Sequence, residues 1–362
     1  MHMALYLFTG LYLCFVVFII IGLLKHNPKV EKEIDDLSTV SIVIAARNEE
    51  NNIKYLIDDL INQNYPKEKI EIIIANDRSV DRTGEIIDET AKKYSFFHHI
   101  KIKKTNKSMT PKKNALQQAI HHAAGNIIIS TDADCRVPKT WVKSMASSVQ
   151  KNKGISIGFS RVEGKSFFSK YQMIDFFSIT VANAGVGGWN TFWSGSGQNL
   201  GYKKKSFEMI NGFHPVKDKI SGDDMYLVQA ISEKIGGIIN MNPRSFVLTK
   251  PVKSIKDFLN QKIRWSSNAR NNLNKKPLFF IFLISAFFCN LTLLIGFLLL
   301  IPGIQFMFFI KFIFEGIVIF LGGRLFKTPI SPLVYMVWSL IQPLYIPCVG
   351  ILGLFDFYSW KK

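Results

Sequence analysis

Apolar positions follow two regimes along this chain. Between residues 4 and 24, and again beyond residue 277, they form long uncharged blocks; from residue 39 they come as short runs alternating with amphipathic stretches. The central rhythm reads as strands and helices in turn. Val40-Ser41-Ile42-Val43-Ile44 is a strand, and Ile53, Leu56, Ile57, Leu60 and Ile61 recur at helical spacing. Ile70 to Ala75 is a second strand beginning 30 residues after the first, a distance that fits a helical crossover and hence parallel pairing. Asp81 to Tyr94 reads as helix, His99 to Lys103 as strand, and Pro111 to Ala124 as helix with proline at its start. Ile127 to Ser130 is the fourth strand and Pro138 to Gln150 a further helix. This alternation predicts an α/β domain: an open, mostly parallel sheet flanked by helices.

The long blocks read as transmembrane α-helices. Residues 4 to 24 contain no charge, and about 20 such residues cross the hydrocarbon. A cleaved signal would need a basic start and a small-residue cleavage site; MHM supplies no base and no such site follows. Residues 278 to 301, 304 to 321 and 333 to 355 give three further segments, the second interrupted by Gln305, Lys311 and Glu315, the third by Pro343 and Pro347. Lys311 and Glu315 are four apart, so they share a helix face and can pair. The expected organisation is an N-terminal transmembrane helix at 1–25, a soluble α/β domain at 38–250, an amphipathic interfacial segment at 251–276, and a C-terminal transmembrane region at 277–362.

Composition sharpens this. Half of the 30 Phe residues lie beyond residue 276, and the formal net charge is +18. Between Lys250 and Lys276 eight Lys or Arg stand against one acid, Asp257. A polybasic segment beside a span suits anionic headgroups, and no helix-turn-helix or zinc-finger spacing suggests nucleic acid. Lys25, Lys29 and Lys32 follow the first span, so both flanks of the domain carry positive charge and the domain is expected on the cytoplasmic side of the cell (inner) membrane. Lys361-Lys362 fits that topology less well if the last segment crosses fully. Of the four Cys, only Cys135 lies in the soluble part, so no disulfide framework is expected there. The pairs His98-His99 and His121-His122 lack zinc spacing.

In open α/β sheets ligands sit beyond the carboxyl ends of the strands. There the first strand is followed by Ala45-Ala46-Arg47-Asn48-Glu49, the second by Asn76-Asp77-Arg78-Ser79, and the fourth by Asp132-Ala133-Asp134. Each acid can cap a helix, yet together they put carboxylates on one edge of one sheet. Neighbouring carboxylates repel and resist burial, and a divalent cation offsets both costs. Mg²⁺ and Mn²⁺ take oxygen ligands, Mg²⁺ commonly one or two carboxylates plus substrate phosphates. Neither GxGxxG nor GxxxxGK[ST] follows the first strand, so no glycine-rich turn cradles a nucleotide there. In SGDD, the neighbouring Asp223 and partial desolvation can raise the pKa of Asp224 toward a value useful in a general base. Gly222 before them permits close approach to a substrate. Gln261, Arg264 and Trp265 fall at i, i+3 and i+4 on one helix face, while Ile255, Phe258, Leu259 and Ile263 supply an apolar face with lysines outward. The segment from Ala184 to Gly201, with six Gly and two Trp, reads as a mobile loop on the acceptor side.

The series IAARNEE, ANDRSVDRTG, KKNAL, STDADC, SGDDMYL and QKIRW resembles the inverting nucleotide-sugar glycosyltransferases of family 2, with the GT-A fold, over roughly residues 38 to 270. The Q-x-x-R-W pattern resembles their membrane-bound members. The resemblance implies a nucleotide-sugar donor, with a UDP-sugar favoured and GDP-mannose open, and a divalent metal, Mg²⁺ or Mn²⁺. It puts Glu49 near the ribose, Asp77 near the base and Lys113 beside the nucleotide. Asp132 would face the nucleotide, Asp134 would hold the metal and Asp224 would be the base. Arg264 would meet the leaving diphosphate, with Gln261 and Trp265 completing the pattern. Two departures stand out: Ala45 where the family often has Pro, and Lys203-Lys204 where it often has an Arg pair, a change that keeps charge but loses the planar fork. The membrane segments point to a lipid or lipid-linked acceptor; a processive polysaccharide synthase is the alternative. A transporter, or a non-catalytic sugar-nucleotide scaffold, belongs to other classes, and loss of turnover on replacing Asp134 or Asp224 would exclude the scaffold.

Overall fold

The computed structural model describes residues 2–26, 36–104, 106, 108–152, 154–268 and 276–359. Lys29, Lys32, Arg270, Lys275 and Lys361-Lys362 of the charge pattern lie outside the described residues. By contact the chain divides into two units: Met1–His26, Val162–Trp189 and Pro251–Lys362 form one, and Asn27–Arg161 and Asn190–Lys250 the other.

The second unit is built on a seven-stranded sheet. Its strands are β1 (Val40–Ala46), β2 (Ile70–Asp77), β3 (Phe97–Ile102), β4 (Ile127–Ser130), β5 (Ile155–Gly158), β7 (Leu200–Lys203) and β8 (Gly237–Asn240), in the order β3-β2-β1-β4-β7-β5-β8. Two shorter strands, β6 (Ser160–Val162) and β9 (Val247–Thr249), pair with each other. β1 lies parallel between β2 and β4, with Ala46 opposite Asn76 and Val43 opposite Ser130. β7 runs antiparallel to both β4 and β5.

The central strands are nearly continuous in β-branched residues because both faces are covered. Ile42, Ile44, Ile72, Ile74, Ile127 and Ile129 cluster with Leu56 and Leu60 of α2 (Ile53–Ile61), Ile87 of α3 (Thr83–Lys93), and Trp141, Met145 and Val149 of α5 (Trp141–Asn152). Helix α4 (Pro111–His122) packs on β1 and β2 and buries Ala115 and Ala119. All four helices are expected from periodicity. Their observed ends differ by a few residues, the ordinary uncertainty of terminal turns.

In the first unit, α1 (His2–Leu24), α10 (Pro277–Leu298), α11 (Ile304–Leu325) and α12 (Pro332–Leu354) contain the four stretches long and apolar enough to cross a membrane among the described residues. With them stand α6 (Phe167–Gly187) and α9 (Ile255–Ser266). Helix α6 corrects the expectation of a loop beginning at Ala184: Ala184–Gly187 are its last turn, and its residues belong with this unit although they fall inside the 38–250 stretch. Glycines let α6 and α1 meet closely. A Cβ on Gly22 would fall 1.8 Å from the Gly185 carbonyl oxygen, and one on Gly188 would fall 2.0 Å from that of Gly22. Trp189 seals the crossing, stacking on Phe18 and donating from Nε1 to its carbonyl at 3.0 Å. Lys311 and Glu315 do pair, at 2.8 Å and buried, and Tyr12 donates its hydroxyl to Glu315 at 2.7 Å. In low dielectric these partners are what make the two charges tolerable.

Candidate active site

The site is built on the carboxyl edge of β1, β2 and β4. β2 and β4 flank β1, so Asp77 and the loop holding Asp132 leave the same edge two strand spacings apart, about 10 Å. That is the order of length of a nucleoside diphosphate, from base to pyrophosphate.

The first two loops are laced together. The backbone N–H of Asn48 donates to Ser79 Oγ at 3.0 Å and that of Val80 donates to Asn48 Oδ1 at 3.0 Å. Glu49 gives its N–H to Thr83 Oγ1 at 2.7 Å, and its carboxylate accepts from Asn52 at 2.8 Å. Asn48 and Arg78 both sit at φ 54°, left-handed backbone that Asn adopts readily and Arg does not, so Arg78 marks strain at this edge. Asp77 is 4% exposed; it accepts from Arg78 Nε at 2.7 Å and Nη2 at 3.0 Å, with Arg47 4.0 Å away. A carboxylate so enclosed is fixed in direction, and the two guanidiniums add positive charge beside it.

Beyond β4 the chain alternates. Ala133 and Cys135 join the hydrophobic core and Thr131 is buried, while Asp132 and Asp134 are half-buried. Asp132 meets Lys112 of α4 at 2.8 Å. The two carboxyls share little room: burial, then the charge of Asp132, pushes the pKa of Asp134 upward. The third acidic group comes from α8 (Asp223–Ile235), which follows the short α7 (Lys204–Met209). Gly222 precedes it at φ 81°, a left-handed position; glycine is needed there by backbone conformation, in addition to any approach to substrate. Asp224 accepts from the backbone N–H of Met225 at 2.8 Å and of Gly197 at 3.1 Å. Burial, then the charge of Asp223, pushes its pKa up to about 6 against the opposing pull of Lys112.

Gly197 is held in turn. Ser130 Oγ donates to its carbonyl at 3.1 Å, and two residues on Asn199 is fully buried. Asn199 accepts from Trp141 Nε1 at 2.9 Å and donates to the carbonyls of Phe159 at 2.9 Å and Ser245 at 2.7 Å. The glycine-rich segment is therefore anchored at this end and is not loose as expected.

Lys112, Ser130, Thr131, Asp132, Gly197, Tyr202, Asp223 and Asp224 line one narrow cavity, and Glu49, Asp77 and Asp134 are not among its lining residues. Lys113, the lysine named from the sequence, is buried and donates to the Lys219 carbonyl, and it is not among the lining residues. Its neighbour Lys112 takes the place. Burial alone would lower the Lys112 pKa, but the charge of Asp132, with Asp223 and Asp224, raises it, so it stays cationic. The available signal was helical: Lys112 and Leu116 are four apart and both line the cavity.

Among the described residues no group of three or more His, Cys, Asp or Glu is arranged to hold a metal. The oxygen-only pair Asp132 and Asp134, with its mutual repulsion, still fits a hard cation that arrives already bound to phosphates. Gln261, Arg264 and Trp265 lie on α9 in the other unit, all half-buried. The buried face of α9 is Phe258, Lys262 and Ile263, whereas Ile255 and Leu259 are exposed. Lys262 thus points inward where an outward lysine was expected.

The model of glycosyl transferase family 2 matches residues 41–220, which hold the first three carboxylate loops and α4. The chain carries a family 2 glycosyltransferase domain. It is 27% identical over 247 residues to the probable glycosyltransferase YdaM of Bacillus subtilis, covering 67% of this chain and 58% of that protein. It is 32% identical over 161 residues to the beta-monoglucosyldiacylglycerol synthase of a Nostoc species, covering 43% of this chain and 34% of that one. The match thus spans about a third to under two thirds of those relatives' length. A mannosyltransferase from Pyrobaculum calidifontis, solved with GDP-mannose and Mn²⁺, superposes over 98% of this chain and 97% of its own at TM-score 0.64 and 18% identity. That likeness concerns the fold alone.

Proposed function

We propose that this family 2 glycosyltransferase is a membrane-bound inverting enzyme. It moves one sugar from a nucleotide-sugar donor, with UDP-sugars the first class to test, to a lipid or lipid-linked acceptor. Its catalytic domain faces the cytoplasm at the cell membrane. The observation that carries the reading is the cavity shared by Lys112, Asp132, Asp223 and Asp224 at the carboxyl edge of the sheet. A lipid acceptor is supported by the four apolar helices and by the name of the Nostoc relative.

In this reading the nucleoside lies along the Glu49 and Asp77 side and the diphosphate reaches toward β4. Asp134, with Asp132 beside it, would hold Mg²⁺ or Mn²⁺, which when bound draws off charge developing on the diphosphate. Asp224 takes the proton of the acceptor hydroxyl. The hydroxyl oxygen bonds to the anomeric carbon from the face opposite the diphosphate, and the bond between that carbon and the phosphate oxygen breaks with its electrons on the diphosphate. The backbone donors at Gly197 and Met225 fix the Asp224 carboxylate, and Lys112 balances the crowded acids. Arg264 is assigned to the leaving diphosphate, with Gln261 and Trp265 beside it, from the Q-x-x-R-W pattern alone.

A donor screen on membranes containing the protein, followed by mass spectrometry of extracted lipids, tests this. A single-sugar lipid product that disappears in Asp224→Asn and Asp134→Asn is expected. Turnover surviving both substitutions would overturn the assignment, and a polymer ladder would favour processive synthesis.

A further inference from the structure

Lys262 sits inside the Q-x-x-R-W pattern yet is turned into the protein. It is 5% exposed, and its ammonium lies 2.6 Å from Asp175 of α6. Asp175 is 6% exposed and accepts a hydrogen bond from Trp338 Nε1 of α12 at 3.3 Å. Three rings enclose the ammonium: Trp265 at 4.1 Å, Phe258 at 5.1 Å and Phe176 at 5.9 Å. Phe176 also packs on Trp265 at 5.5 Å, so the tryptophan of the pattern is one wall of this cage.

Such a pair is a poor way to gain stability. Desolvating two charges offsets most of their attraction, and apolar side chains of similar volume would hold the helices as well. What the pair adds is direction. An ammonium bound to one carboxylate and set against three aromatic faces fixes the rotation of α9 about its axis. With 3.6 residues per turn, Gln261 leaves the helix about 100° behind Lys262 and Arg264 about 200° ahead. Locking Lys262 inward therefore sets both directions.

We infer that Asp175 and Lys262 form a positioning clamp that aims Arg264. The inference rests on the proposed role of Arg264 at the leaving diphosphate. Neither clamp residue touches substrate in this account.

The test is steady-state kinetics on the full chain in nanodiscs, with thermal midpoints measured in parallel. Lys262→Met and Asp175→Asn leave one buried charge unpaired, and both lower the midpoint. The double variant Asp175→Leu/Lys262→Met recovers part of the midpoint, short of full recovery because Trp338 Nε1 loses its acceptor, but keeps a kcat at least tenfold below that of the unaltered protein, with donor KM within twofold. Lys262→Arg, which keeps charge and carboxylate contact, restores kcat to within about threefold. If the double variant fails to fold, Trp338→Phe removes only the indole donor, and a kcat reduced about threefold at unchanged KM is expected. Full kcat in a well-folded double variant, or in Trp338→Phe, while Arg264→Met is impaired, would overturn the clamp and leave the reading of Arg264 intact. Full kcat in Arg264→Met would instead overturn that reading, and the clamp with it.

Discussion

The pKa of Asp224 makes a prediction that an ordinary carboxylate does not. At about 6 the group is ionised in about one molecule in eleven at pH 5 and about ten in eleven at pH 7, so a base of this kind gives a tenfold rise in rate. A carboxylate left at 3.8 would be mostly ionised already at pH 5, and the profile would be nearly flat. The neighbours then set the direction of change. Asp223 raises the value, so Asp223→Asn moves the acid limb of kcat/KM to lower pH; burial is the larger cause, so the limb does not return to 3.8. Lys112 lowers it, so Lys112→Met moves the limb to higher pH. The same shift runs against stability: between about pH 4 and 6 the native state binds the proton more tightly than the unfolded chain. Its contribution is present at low pH and lost as pH rises through that window. The assay is initial transfer rate against pH at fixed saturating metal. A limb that stays put in both variants, or moves the same way in both, would refute the assignment of Asp224.

Asn199→Ala strips three buried hydrogen bonds from the support of Gly197 and should cost about 2–4 kcal/mol in denaturant unfolding of the full chain, with activity falling through loss of fold. Gly22→Ala places a methyl into the Gly185 carbonyl and should lower stability by about 1–3 kcal/mol, while Gly10→Ala on the same helix, with open space around it, changes little; thermal melts in one detergent compare them directly. Chelation by EDTA should abolish transfer and added Mn²⁺ or Mg²⁺ restore it. Asp134→Asn should weaken metal binding at least tenfold, read by titrating Mn²⁺ binding at fixed donor.

Much of the catalytic half was legible because its signals are local. Short isoleucine runs, helical periodicity and acids after strands are properties of neighbouring residues, and β1 to β4 and α2 to α5 came from them. What escaped depends on tertiary contact. Helix α6 mixes Lys170 and Asp175 into an apolar stretch and buries residues around its whole circumference, among them Tyr171, Gln172, Ile174, Asn183 and Ala184, so it lacks the single apolar stripe that marks a surface helix. β7 is four residues with a glycine and a lysine, and only its neighbours β4 and β5 make it a strand. Lys112 and Lys113 are indistinguishable by composition; their burial separates them once α4 is docked on the sheet. Lys262 reads as a solvated lysine until Asp175, far away in sequence, is found opposite it.

The central claim is that carboxylates from separate loops surround one sugar nucleotide, with the Asp132-Asp134 loop holding the cation at its pyrophosphate. A structure of the protein with a nucleotide sugar and Mn²⁺, phased on the manganese anomalous signal, tests it most directly. The account predicts Mn²⁺ held by Asp134 beside the donor diphosphate, the nucleoside lying toward Asp77, and the anomeric carbon facing Asp224. A donor bound elsewhere on the sheet, or manganese coordinated without Asp132 or Asp134, would contradict it.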